Sequence, residues 1–286
     1  MTRRVKDGVL FFRQRGRDGT MSAVMERATT YGEYLRIPEL LGLQKTLTPA
    51  HDELQFIVVH QVFELWFKLA LHELDALRAA MRGDDLARAA HLLRRLQALV
   101  RTVTAGFDVI ETMRPYDFLE FRSALQPASG FQSVQFREIE FLCGLKDERY
   151  VRLLDGDERL ARRMKESTLW DAYVELLGRH GLKSGSEKEI VASVIEVMKR
   201  PDAHALGPLT EELIELDELF SLWRARHIRM TMRMIGSKPG TGEKTVQKLV
   251  REGYERMGSA GVDYLKTTLS KTFFPLLWEA RTFIRR

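Results

Sequence analysis

The chain has 286 residues, 44% of them hydrophobic and 30% charged, and its 45 Lys and Arg against 40 Asp and Glu give a net charge of +5. A chain of this length can bury a large core without cross-links, and its single cysteine, Cys143, excludes a disulfide framework, a cysteine-rich zinc site and covalent haem attachment. Acidic side chains nearly balance basic ones and no long basic block occurs, which argues against a nucleic-acid partner.

Residues 1–28 are basic, contain Gly8, Gly16 and Gly19, and show no helical periodicity, which predicts a flexible basic arm. The apolar stretch 9–12 within this arm is too short for the core of a signal peptide. No apolar run in the sequence approaches the ~20 residues that span a bilayer. The sequence therefore predicts a cytoplasmic protein that does not enter a membrane.

Residues 29–286 predict a single all-α domain, a helical bundle, because apolar residues recur at helical spacing and strict alternation is scarce. No repeat and no linker divides this part of the sequence. The predicted helices cover residues 51–81, 84–113, 117–125, 131–143, 168–179, 187–199, 209–235, 244–257 and 262–284.

The predicted helix 51–81 carries a histidine on its apolar face. His60 follows Phe56 by four residues and precedes Phe63 by three, so the three side chains share one side of the helix. We expect His60 to point into the bundle among aromatic rings.

The predicted helix 209–235 carries a second histidine, His227, on a stripe whose apolar residues alternate at spacings of three and four. Either histidine could be an ordinary core residue with its hydrogen bonds satisfied. Two such histidines, each flanked by aromatic or Met side chains, favour a cofactor site in the bundle. Zinc would need further ligands, whereas a haem needs apolar walls and only one or two imidazoles, so the pattern favours haem.

Two further segments are candidates for ligand binding. Arg122 follows Phe118 by four residues and precedes a loop containing Ser129, and its planar guanidinium is suited to a carboxylate. A surface arginine covering Phe118 with its stem would give the same pattern. The glycine-rich segment 236–242 directly follows the His227 helix, lacks the order of a P-loop, and predicts a flexible lid beside that histidine.

Taken together, these segments resemble the tryptophan 2,3-dioxygenase family, haem enzymes that open the indole ring of L-tryptophan with O2. The resemblance covers about Thr30 to Ile284. It is carried by Tyr31-Gly32-x-Tyr34-Leu35, by Phe56-Ile57-x-x-His60-Gln61 with Glu64-Leu65-Trp66, by Phe121-Arg122, by Pro127-Ala128-Ser129-Gly130-Phe131-Gln132-Ser133 and by Trp223-Arg224-x-Arg226-His227.

The resemblance implies a non-covalent haem b with its iron, O2 as co-substrate, and cleavage of the indole C2–C3 bond to N-formylkynurenine. It implies that His227 is the proximal iron ligand, that His60 is the catalytic histidine hydrogen-bonded to the indole N–H, and that Phe56 is a wall of that pocket. It also implies that Arg122 pairs with the carboxylate of L-tryptophan or an indole-substituted derivative, and that Thr241 holds the amino-acid end.

The resemblance extends to the assembly of the protein. It implies that Ser129 lies over the haem, and that Tyr31, Tyr34 and Leu35 belong to an N-terminal segment that reaches into a neighbouring subunit's site. We therefore expect a homotetramer whose N-terminal segments are swapped between sites.

The sequence departs from the family pattern between Gly242 and Gly258. The inserted residues 243–257 carry apolar positions at helical spacing, which predicts an extra amphipathic helix near the C-terminus. Because the insertion lies in a loop expected to close over substrate, two alternatives stay open. One is a 2-oxindole-forming tryptophan or β-methyltryptophan monooxygenase of natural-product biosynthesis. The other is a non-enzymatic haem-binding sensor or carrier.

Overall fold

The structure is a computed structural model that describes residues 4–6, 9–15, 21–27, 29–200, 202, 204–241 and 262–285. The chain separates into two compact units, Met1–Lys45 and Thr46–Arg286. The predicted inserted helix, residues 243–257, lies outside the described residues.

The first unit contains a three-stranded antiparallel sheet where the sequence predicts a flexible arm. Its strands are β1 (Arg4–Lys6), β2 (Val9–Arg15) and β3 (Met21–Arg27), in the order β1-β2-β3, with Phe12 of β2 opposite Val24 of β3. These strands were not predicted from the sequence. Strands satisfy their N–H and C=O groups through neighbouring strands, which a search for helical periodicity does not detect.

Two short helices follow in the first unit. Helix α1 (Tyr31–Leu35) begins after Thr30, whose hydroxyl accepts from the N–H of Glu33 while the Glu33 carboxylate accepts from the N–H of Thr30. Helix α2 (Ile37–Leu41) begins at Arg36, a left-handed residue with φ 54°. Neither helix was predicted from the sequence, because five residues are too few to show a helical period.

Three long helices form the centre of the second unit. They are α3 (Glu53–Arg82), α4 (Leu86–Ile110) and α11 (Gly207–Ile235), and α4 packs against both of the others. The Asp85 side chain begins α4 by accepting the N–H of Arg88 at 3.0 Å. The facing sides of the three helices are apolar, and their fully buried residues include Leu77, Leu93, Leu213 and Leu216.

Shorter helices surround these three, and every described element of the second unit is helical, which confirms the all-α prediction for this unit. These helices are α5 (Pro115–Arg122), α6 (Val134–Cys143), α7 (Glu148–Leu153), α8 (Glu158–Lys165), α9 (Leu169–Arg179), α10 (Glu187–Lys199), α12 (Val262–Thr267) and α13 (Pro275–Phe283).

One predicted helix is wrong in its extent. The sequence predicts a continuous helix over 262–284, but the structure has α12 and α13 with a break between them. Pro275 has no N–H to continue a helix from the preceding turn, and the buried Asp217 carboxylate of α11 accepts the N–H groups of Phe273 and Phe274 at 2.9 and 3.0 Å. The break therefore ties the C-terminal helix to α11.

Among the described residues, α3 is a helix long and apolar enough to cross a bilayer by length and composition. Core helices of soluble proteins meet the same criteria. One side of α3 is buried, but Leu54, Val58, Val62 and Leu65 are 40–51% exposed and lie along one face at helical spacing. We call these four residues the α3 stripe.

Candidate active site

A cavity of about 290 Å³ lies among the central helices of the second unit, and its walls are mainly aromatic and aliphatic. The predicted site residues reach it from four separate stretches of the chain: α3, α5 with the loop that follows it, α11, and the loop after α11. The predicted site residues that line the cavity are Phe56, His60, Arg122, Ser129, His227 and Thr241.

His60 enters the cavity from α3. Its Nδ1 lies 2.7 Å from the carbonyl oxygen of Phe56, one turn earlier. Because a carbonyl oxygen only accepts hydrogen bonds, Nδ1 carries the hydrogen and donates, which leaves Nε2 as the acceptor of the neutral ring. Burial lowers the pKa of His60, and the Phe56 carbonyl and the Glu64 charge offset only part of that effect. His60 is therefore a neutral hydrogen-bond acceptor at physiological pH.

Aromatic rings form the wall beside His60. The centroid of Phe56 lies 4.0 Å from that of His60 and 5.6 Å from that of Phe121. Phe118 meets Phe121 edge to face, at 5.3 Å and 89°. Since Phe118 and Phe121 belong to α5, the helix that ends with Arg122, the same element supplies the apolar wall and the cation.

His227 enters the cavity from α11 and is held by stacking. Its ring lies parallel to that of Phe107 on α4, at 5.5 Å and 5°, and 5.3 Å from that of Trp223. Among the described residues, no group forms a hydrogen bond with its ring nitrogens. Burial, and to a smaller degree His60, lowers the pKa of His227 to about 4. A neutral imidazole with uncommitted nitrogens in an apolar cavity is suited to bind a metal.

Two hydrogen bonds hold the loop after α11 against the segment that follows α5. The Arg122 guanidinium donates to the carbonyl oxygen of Pro239, and the hydroxyl of Thr241 donates to that of Ala128 at 2.7 Å. We call this pair of contacts the loop latch. It places the predicted carboxylate-binding arginine and the predicted threonine at the same edge of the cavity.

Ser129 is fixed by its own short turn. Its hydroxyl accepts from the N–H of Phe131 at 3.3 Å, and its N–H donates to the side chain of Gln132 at 3.2 Å. These bonds begin the 3-10 turn over 130–132 and hold Ser129 at the cavity wall.

The predicted N-terminal site residues belong to the first unit. Tyr31, Tyr34 and Leu35 belong to α1 of the first unit, where they are 78%, 75% and 41% exposed, and they are not among the residues that line the described cavity. Their role in a neighbouring subunit stays a prediction.

A buried group of charges at the cavity was not predicted from the sequence. Arg137 pairs with Glu140 at 2.5 Å, and Glu140 also pairs with Arg224 of α11 at 3.3 Å. Burial alone would raise the pKa of Glu140, but the positive charges of Arg137, Arg224 and Lys271 hold it below its ordinary value. We call these four residues the ion cluster. The available signal was the presence of Arg137 and Glu140 one turn apart in a helix whose other charged residue is Glu138.

Buried donors without partners lie next to the ion cluster. The indole Nε1 of Trp223 and the Nε of Arg224 are buried and have no hydrogen-bond acceptor among the described residues. Such groups cost free energy unless an acceptor is bound. Together with the surplus of positive charge in the ion cluster, they suit an anionic group.

Cys143 is not among the residues that line the cavity, and burial raises the pKa of its thiol.

Comparison with known proteins gives a consistent result. The family model described as tryptophan 2,3-dioxygenase matches residues 16–190 and 191–284. The tryptophan 2,3-dioxygenase of a Nocardioides species is 45% identical over 265 residues, covering 88% of this chain and 94% of the relative. That of Herpetosiphon aurantiacus is 43% identical over 273 residues, covering 90% and 99%. That of an Anaeromyxobacter species is 39% identical over 269 residues, covering 89% and 96%.

Proposed function

Because the chain belongs to the tryptophan 2,3-dioxygenase family, we propose that it binds haem b non-covalently and uses O2 to cleave the indole C2–C3 bond of L-tryptophan. The observation that carries the proposal is the meeting of His60, His227 and Arg122 at one apolar cavity. A metal ligand, an acceptor for an N–H group and a partner for a carboxylate are groups that would hold the cofactor and orient an indole amino acid.

The residues at the cavity fit a haem. His227 offers a neutral imidazole for the iron, and the rings of Phe63 and Phe107 offer apolar walls for the macrocycle. Arg224 and the unpartnered Nε1 of Trp223 offer donors for its carboxylate groups. When bound, the haem would supply the activation of O2 for insertion into the indole.

The remaining cavity residues would orient the amino acid. In the proposed complex, the Arg122 guanidinium pairs with the substrate carboxylate and Thr241 holds the amino-acid end. Nε2 of His60 accepts the indole N–H, because the Phe56 carbonyl keeps the hydrogen of that ring on Nδ1. The Phe56 ring and its aromatic neighbours exclude water from the indole. These contacts would hold the C2–C3 bond at the reacting position.

The product formed from L-tryptophan under 18O2 tests this proposal. We expect N-formylkynurenine that carries two 18O atoms, measured by mass spectrometry on the ferrous holoenzyme. A 2-oxindole product with one 18O atom would instead establish the monooxygenase. Haem binding without turnover or a tryptophan-dependent spectral change would establish the sensor or carrier. The names of the relatives support ring cleavage over both.

We further propose that the protein is a homotetramer, in which the segment of Tyr31, Tyr34 and Leu35 contributes to a neighbouring site. The support is the α3 stripe, a line of exposed apolar residues on a central helix, of the kind that marks subunit interfaces. Analytical ultracentrifugation of wild type and Val62→Lys tests it. The wild type is expected to sediment as a tetramer and the variant as a smaller species. A monomeric wild type would contradict the proposal.

A further inference from the structure

Gly106 occupies an interior position of α4, where glycine is among the least favourable residues. A β-carbon at this position would lie 2.9 Å from Cζ of Phe63 and closer still to its Cε1. Side chains do not approach one another at such distances, so any larger residue would displace the Phe63 ring. What the glycine accommodates is therefore this one ring, packed directly against the α4 backbone.

Phe63 contacts His60 directly and is linked to His227 through Phe107. Its ring lies 5.9 Å from His60 at 60°, and 5.6 Å from Phe107 at 76°. Phe107 in turn stacks on His227. Three contacts thus connect the two histidines through two intervening rings, and the first of these rings rests on Gly106. Phe63 also lines the cavity, so the space open to a displaced ring lies on the cavity side.

We propose that Gly106 is a positioning residue for the cofactor site, because it lets the Phe63 ring sit back against α4 and keeps the gap between His60 and His227 open. The inference rests on the proposed haem site. An added methyl group would push the ring into the cavity, since the helix backbone behind it is held by its own hydrogen bonds. The displaced ring would weaken haem binding directly, whether or not it also affected a step of the reaction.

The rate of haem loss from the holoenzyme measures this effect, followed as transfer to excess apomyoglobin. Gly106→Ala is expected to lose haem about tenfold faster than wild type, which corresponds to about 1.4 kcal/mol, within the cost of an extra methyl group in a packed site. The position of the Soret band gives a second readout, because displacement of Phe63 changes the contacts of His60.

A second substitution and a matched control separate this effect from general destabilisation. Phe63→Leu removes the ring atoms that meet the new methyl group, so Gly106→Ala/Phe63→Leu should lose haem within about threefold of Phe63→Leu alone. Gly178→Ala is the control, because that helical glycine of α9 has Ser184 Oγ at 3.4 Å as its nearest neighbour. It should leave the rate of haem loss unchanged.

The inference is overturned if Gly106→Ala retains haem as well as wild type does. It is also overturned if adding Gly106→Ala to Phe63→Leu still makes haem loss about tenfold faster than in Phe63→Leu alone. If Gly106→Ala does not fold, the inference requires that Gly106→Ala/Phe63→Leu folds and holds haem. If neither variant folds, the inference is overturned. Failure of the proposed function would look different, because the wild type itself would then take up no haem.

Discussion

The two histidines of the cavity lie in different surroundings. The carbonyl of Phe56 ties Nδ1 of His60 to its own helix, whereas the rings of Phe107 and Trp223 hold His227 and no described group hydrogen-bonds to it. The hydrogen bond fixes the tautomer of His60 and so leaves one defined acceptor. Stacking fixes the plane of His227 but leaves both nitrogens uncommitted. The first arrangement suits recognition of an N–H group and the second suits metal ligation.

Of the substitutions that test this difference between the two histidines, His227→Ala is expected to have the largest effect. We expect His227→Ala to purify without haem, because it removes the proposed protein ligand of the iron while the other cavity walls remain. The ratio of Soret to protein absorbance measures haem content, and circular dichroism checks that the helices are intact. Normal haem content in this variant would show that the ligand assignment is wrong.

The packing of α11, the helix that carries His227, can be tested through Glu140 of α6, which pairs with Arg137 on its own helix and with Arg224 on α11. Glu140→Gln leaves buried positive charges without their partner, so we expect about 3–5 kcal/mol lower free energy of unfolding at pH 7, measured with urea.

The pH dependence of stability follows from the same carboxylate. The fold lowers the pKa of Glu140 below its ordinary value of 4.5, so its contribution is present above pH 4.5 and is lost as the pH falls through the lowered value. The stability of wild type should therefore approach that of Glu140→Gln in acid. A difference that stays constant down to low pH would contradict this.

On the substrate side of the cavity, Arg122→Leu is expected to keep its haem and to lose activity. Loss of a charged hydrogen-bonded pair costs about 2–3 kcal/mol, so kcat/KM for L-tryptophan should fall roughly a hundredfold. Arg226→Leu is the control, because that arginine pairs with Glu111 and Asp108 outside the cavity. Equal losses in both variants would argue against a substrate contact for Arg122.

The smallest effect is expected for His60→Ala, which should retain haem and bind substrate less well. One hydrogen bond to a neutral group contributes about 1 kcal/mol, so kcat/KM should fall roughly fivefold. With 1-methyl-L-tryptophan, which has no indole N–H, the difference in kcat/KM between wild type and His60→Ala should be much smaller. If His60→Ala lost haem as His227→Ala does, the two histidines would not have separate roles.

Periodicity predicted the central helices and both histidines because a stripe of apolar residues is local to one segment. Phe56 and Trp223 accompany the histidines on the same stripes and could be identified with them. The family resemblance, carried by several ordered motifs, is confirmed by the comparisons. Arg122, Ser129 and Thr241 came from the motifs, and the structure places all three at the cavity.

Features that depend on distant partners could not be predicted in this way. Nothing local shows that Arg224 of α11 meets Glu140 of α6, or that Gly106 lies under Phe63. Helices α7 and α8 were not predicted because they are short and rich in charged residues. The strands of the first unit were not predicted because each depends on hydrogen bonds to another segment of the chain. Sequence patterns thus identify side chains that a helix face presents, and long-range packing decides what those side chains contact.

The loop latch has a consequence for selectivity. Arg122 donates one of its five N–H groups to the Pro239 carbonyl, so the backbone of the loop holds the guanidinium before any ligand arrives. In the proposed complex, the remaining N–H groups are offered to the substrate carboxylate, a charged acceptor that binds a guanidinium more strongly than a neutral group does. Indole alone carries no such acceptor. The proposed contact therefore favours amino acids over bare aromatic rings.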